Sequence, residues 1–208
     1  MNYSRTDTPR TNRDPAEVQR KQSLLHEPHI APLTSYVERM RAERGRNYSI
    51  PYLDPTEAGI TARIALLLEA PGPRSAHGSG FVSPDNDDQT AQNMWTLLGD
   101  VGCDRANEVV TWNVCPWYVG SGTKIRPVNR DDLDDARPAV EEFFSLVPDL
   151  RVAVLLGKAA ARGWKHLEID LPTIECPHPS PLSVNTAPGR RDQIRQALMD
   201  ARRDAGYV

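Results

Sequence analysis

The chain predicts an α/β fold: a three-layer α/β/α sandwich around a four-stranded, mainly parallel sheet. Three observations point there. Four short apolar runs, at 63–68, 108–114, 151–156 and 171–176, alternate with segments of helical periodicity. The first run, Ile64-Ala65-Leu66-Leu67-Leu68, is continuous rather than alternating, so both of its faces need cover, as in a central parallel strand. The segments richest in unusual residues, 69–88, 115–130 and 177–189, each follow a strand and must converge on one edge of the sheet.

Taken in order, residues 1–14 are polar and aperiodic and read as a disordered tail, leaving 15–208 as a single domain that begins with helices. Helices are expected at 16–26 and 30–43; in the second, Ile30, Leu33, Val37 and Met40 share one face and Gly45 ends it. A loop with Pro51, Pro55 and Gly59 leads to the first strand. The next loop, 69–88, is long enough to be functional or disordered, and its Phe81 and Val82 argue against disorder. Asp88 stands where the N-cap of a helix over 89–101 belongs, with Met94, Leu98 and Val101 inward. Leu133, Ala136, Val140, Phe143 and Val147 give a helix over 131–147, with Pro138 a candidate kink. A short helix follows at 157–166. The last helix, 190–205, turns Ile194, Leu198 and Ala201 inward.

Composition narrows the function. The 208 residues are 39% hydrophobic and 25% charged, typical of one globular domain. No run approaches the roughly 18–20 apolar residues that span a bilayer, and residues 1–14 lack a signal-peptide core. Cys103, Cys115 and Cys176 show no C-x-x-C spacing. They predict a reducing, cytoplasmic setting, cannot supply a four-cysteine cluster and read as buried apolar fillers; no cofactor is expected. A net charge of −3 excludes a polycation that coats nucleic acid. Yet Arg190, Arg191, Arg195, Arg202 and Arg203, with Lys124, Arg126 and Arg130, predict a basic rim around one cleft, suited to a polyanion.

The most informative stretch is Cys176-Pro177-His178-Pro179-Ser180-Pro181-Leu182-Ser183-Val184-Asn185. Its prolines preclude helix interior or central strand, so a histidine and two hydroxyls sit on a stiff loop at a strand end. Ser180 and Ser183 can grip phosphates, and Leu182, if outward, is an apolar wedge. Two further strand-end segments join it: Glu69-Ala70-Pro71-Gly72-Pro73 and Trp112-Asn113-Val114.

This order and content resemble the uracil-DNA glycosylase superfamily. The hexapeptide His178-Pro179-Ser180-Pro181-Leu182-Ser183 looks identical to its DNA-contacting leucine loop. Glu69-Ala70-Pro71-Gly72 resembles the water and base loop of its cluster-bearing bacterial branches, and Phe81 with Asp88-Gln89-Thr90-Ala91-Gln92-Asn93-Met94 resembles a broad-specificity branch. The likeness covers about residues 63–190. It implies a monofunctional, metal-free glycosylase of base-excision repair that cuts uracil, and other deaminated or 5-substituted bases, from DNA. The expected partner is DNA and the expected state a monomer, without a membrane.

By the same resemblance, His178 donates to the leaving base, Asn113 reads its edge and Phe81 stacks on it, with Ala70 and Gly72 in the pocket. Ser180, Pro181, Leu182 and Ser183 contact DNA, joined by Arg190 and Arg191. The water-positioning carboxylate is Asp88 or Glu69, because Ala70 stands where the best-known branch has Asp. Gly72 stands where the uracil-strict branch has a tyrosine, which implies a roomier pocket. With no cluster, Trp112, Trp117 and Tyr118 are candidates to stiffen the loops. Two alternatives remain open: a weak or inactive binder of deaminated or single-stranded DNA, and an enzyme on a free nucleoside, against which Leu182 and the serines speak.

Overall fold

The computed structural model describes residues 8–45, 48–122 and 124–208. The strands are β1 (Tyr52–Leu53), β2 (Ile64–Leu68), β3 (Phe81–Val82), β4 (Val109–Asn113), β5 (Gly120–Ser121), β6 (Lys124–Ile125), β7 (Val152–Leu156) and β8 (Thr173–Cys176). The helices are α1 (Pro15–Ser23), α2 (Ala31–Arg44), α3 (Gln89–Asp100), α4 (Arg105–Glu108), α5 (Arg130–Leu146), α6 (Lys158–Leu167), α7 (Pro181–Val184) and α8 (Arg190–Asp204). The main sheet has the order β4-β2-β7-β8, and every pairing in it is parallel. The remaining strands form two small pairs, β1 with β3 and β5 with β6.

The continuous apolar strands follow from the two layers they face. Ala65 and Leu67 of β2, Trp112 of β4 and Leu155 of β7 pack with α2, α5 and α6 residues. Their alternates, Ile64, Leu66, Val109, Val154 and Leu156, pack with α3 and α8 residues. Successive side chains leave a strand on opposite faces, so a strand covered twice must be apolar throughout. Trp112 centres the first layer, its ring stacked on Phe143 at 6.2 Å and edge-on to Tyr36 at 6.1 Å. The 115–130 loop is fastened to α2, where the Arg44 guanidinium lies 3.6 Å over the Trp117 ring. Helix α5 runs through Pro138 and opens with an Asn129 capping box.

Residues 8–14 depart from the expected tail. A short 3-10 turn, Thr11–Arg13, precedes α1, and Asn12 is buried. Its amide donates to the Asp85 carbonyl at 3.0 Å and its side chain to Asn86 Oδ1 at 2.8 Å. Polarity is a poor guide to order in this segment, because both Asn12 donors find acceptors inside the protein rather than in water. Residues 1–7 of the expected tail lie outside the described residues.

Helix α1 also contributes Lys21, whose side chain is fully buried. Its Nζ donates to Asp54 Oδ2 and Asp85 Oδ2, both at 2.7 Å. Arg105 reaches Asp85 Oδ1 at 2.9 Å and Asp54 Oδ2 at 3.2 Å. Burial opposes the charges on Asp54 and Asp85, but Lys21 and Arg105 overcome it and hold both carboxyls below their ordinary range. Glu57, 3.8 Å from Arg105 Nε, accepts from the Thr111 amide and hydroxyl on the outer edge of β4. Burial nevertheless pushes its carboxyl up to about 8, against the pull of Arg105. At neutral pH the cluster therefore closes with two cations and two carboxylates.

A raised carboxyl pKa has a definite linkage sign. Between the ordinary value and about 8, the folded state holds a proton that the unfolded state has lost. Glu57 therefore makes stability fall as pH rises from about 5 to 8, by at most about 1.4 kcal/mol per pH unit. Glu57→Gln should flatten that part of the curve, measured by denaturant unfolding at several pH values.

Candidate active site

The parallel register brings the strand ends level. Leu68 pairs with Asn113 and Leu156 with Cys176, so the loops after β2, β4 and β8 leave the same edge. They line a cleft of about 810 Å³, to which Glu69, Ala70, Gly72, Asp88, Asn113 and His178 all contribute. Segments as far apart as 69 and 178 thus meet around one space.

Asn113, the last residue of β4, is 1% exposed, and its Nδ2 has no hydrogen-bond partner. An unmet buried donor costs about 1–3 kcal/mol, which makes this Nδ2 a candidate donor to an acceptor in the cleft. His178 receives the Ser180 amide on Nδ1 at 3.1 Å. That contact assigns the proton of the neutral ring to Nε2, the free nitrogen. Burial lowers the His178 pKa, and the nearby charge of Asp88 partly opposes the shift. The ring is therefore neutral near pH 7 and available as a donor.

Asp88 caps α3, accepting the Ala91 amide on Oδ1 at 2.9 Å, which leaves its second oxygen for other work. Glu69 accepts the Val128 amide on Oε1 at 3.1 Å. Each carboxylate therefore has one oxygen committed to the scaffold. At Gly72 an added Cβ would meet nothing within 4 Å, so the cleft is open there.

Phe81 requires a correction. Its ring is 1% exposed, lies 6.2 Å from Tyr52 and is absent from the cleft lining. Pairing of β3 with β1 turns it into the wall, so it presents no face to a ligand.

The leucine-bearing segment is not all loop. Pro181 opens the short helix α7, where its missing amide costs nothing. Ser180 and Ser183 are half-buried at its ends, while Leu182 is 80% exposed. Arg191, at the start of α8, donates to Asn93 Oδ1, and Asn93 in turn donates to the Pro179 carbonyl at 2.7 Å. The expected basic rim is thinner than the sequence implied. Arg126 pairs with Asp132, Arg195 with Asp100, Arg202 with Glu108 and Arg203 with Asp200. Among the described residues, Lys124, Arg130 and Arg190 make no ion pair.

The family model described as the uracil DNA glycosylase superfamily matches residues 55–202, and the cleft-lining residues named above all fall within it. The chain belongs to the uracil DNA glycosylase superfamily. No curated protein matches it. Membership points to a DNA glycosylase acting on damaged bases. Among the described residues no group of three or more His, Cys, Asp or Glu side chains is placed to hold a metal. Burial pushes the Cys115 and Cys176 thiols up to about 12. No helix of the described residues is long and apolar enough to cross a membrane.

One positioning residue escaped the sequence. Gly157 has φ +99°, and a Cβ there would lie 2.8 Å from His178 Cβ. Glycine thus lets the end of β7 approach the histidine closely. Gly157→Ala should cost about 1–3 kcal/mol of stability from backbone strain. It should also shift the His178 imidazole NMR signals, whereas a change confined to stability would deny the contact.

Proposed function

We propose that this superfamily member is a monofunctional glycosylase hydrolysing the N-glycosidic bond of uracil in DNA, and of other deaminated or 5-substituted bases, in base-excision repair. The observation that carries this reading is the meeting of the His178 donor and the unpartnered Asn113 Nδ2 in one cleft.

The target base must first leave the stack, since its glycosidic bond is out of reach inside a duplex. Asn113 Nδ2–H then donates to a base carbonyl. As the C1′–N bond breaks, the electron pair leaves with the base, and His178 Nε2–H stabilises the charge gathering on its oxygen. Asp88 orients a water that adds to C1′ and takes its proton, which passes through solvent to the departed base anion; Glu69 is the second candidate for that task. The products are the free base and an abasic deoxyribose. Leu182, three residues beyond the cleft-lining Pro179, fills the space left in the duplex. Ser180, Ser183 and Arg190 grip flanking phosphates.

The test is base release from oligonucleotides carrying uracil, thymine, hypoxanthine or xanthine, in single and double strands. His178→Ala and Asn113→Ala should each slow release by about 10²–10³-fold, the usual cost of losing one aimed donor. Tight, salt-sensitive binding without release of any base would instead select the DNA-binder reading.

Specificity has its own check. Because a Cβ added at Gly72 meets nothing within 4 Å, Gly72→Tyr should fold and should narrow the substrates to uracil alone. Rejection of everything but uracil by the native chain would remove the basis for that expectation.

A further inference from the structure

The match to the superfamily starts at residue 55, yet the loop carrying Asp88 is held from outside that range. Asn12 donates twice to it, at the Asp85 carbonyl and the Asn86 side chain. Arg10 Nη2 donates to Gln89 Oε1 at 2.9 Å, and Arg10 lies 3.6 Å from Asp87. Lys21 holds the Asp85 carboxylate at 2.7 Å. The N-terminal segment therefore contacts residues 85, 86, 87 and 89, on both sides of Asp88. Among the described residues no hydrogen bond or ion pair joins it to Asp88 itself.

We propose that residues 8–23 form a strap whose task is to position the Asp88 carboxylate in the cleft, with Asn12 and Lys21 as positioning residues. The inference rests on the glycosylase reading above for what Asp88 does. The Ser75 and Ser79 hydroxyls hold Asn86 from elsewhere in the fold. Asp88 has its own amide on the Asn86 carbonyl at 2.8 Å, so a shift of Asn86 moves the carboxylate. Its N-cap bond to Ala91 restrains only Oδ1.

The experiment uses the full chain in single-turnover release of uracil from DNA. Asn12→Ala is the main variant, because removing the buried Lys21 could unfold the protein. The expected result is a loss of about tenfold or more in rate, with DNA binding within about twofold of the native value. Asp88→Asn, which retains an N-cap side chain, provides the second background. There the same Asn12→Ala change should have almost no effect, since the group it positions is already disabled. Equal fold-losses in both backgrounds, no loss in either, or an Asp88→Asn variant as fast as native would overturn the proposal. Hydrogen exchange gives a readout independent of activity: amides of 85–89 should exchange faster in Asn12→Ala. If the native chain releases no base, the glycosylase reading falls, and the exchange comparison alone decides the strap; unchanged exchange sinks it.

Discussion

Strand β2 has a partner on each edge and an apolar layer on each face, and this double confinement sets the geometry of the cleft. A slip of one residue would turn Ile64 and Leu66 toward the α5 side and Ala65 and Leu67 toward α8, exchanging every packed contact. The register is therefore rigid. It keeps Leu68 level with Asn113, so Glu69 and the carboxamide emerge together. On the other side, Leu156 stays level with Cys176, and Gly157 beside it leaves room for His178. The loops supply the chemistry, but the apolar strands decide where it meets.

A second constraint is electrostatic. Replacing a buried ion pair with apolar side chains is often neutral or stabilising, whereas removing one member costs about 3–5 kcal/mol. Lys21, Arg105, Asp54 and Asp85 thus need not exist for stability alone. Their geometry joins α1, the loop before β2, the Asp88 loop and α4. Charges that can be satisfied only by one arrangement specify that arrangement.

Much of the fold was legible because the sheet is covered on both faces. A run such as Ile64 to Leu68, apolar at every position and too short for a buried helix, fits a strand sandwiched between two layers. The amphipathic helices needed only their spacing. Helices α4 and α7, of four residues each, are too short for any period to show. The legibility of the candidate site was uneven for a different reason. Asn113 and His178 stand at strand ends, where position suggests a cleft. The partners of Asn12 and Lys21 lie up to 74 residues away, and nothing local distinguishes Lys21 from a solvated helix lysine. The arginine clusters misled in the same way, since Arg202 finds Glu108 across 94 residues. Phe81 was ambiguous between wall and stacking platform, and only its pairing with the Tyr52 strand decided between them.

The loop after β8 carries prolines at 177, 179 and 181, and Leu182 stands almost bare beyond them. Each proline removes backbone freedom before any encounter with DNA. Holding the leucine outward then takes little further loss of entropy on docking, and the cost of exposing it to water is met while the protein is still alone. Under the function proposed above, a probe already extended would test each step of a passing duplex on contact, and weakly paired sites would give way first.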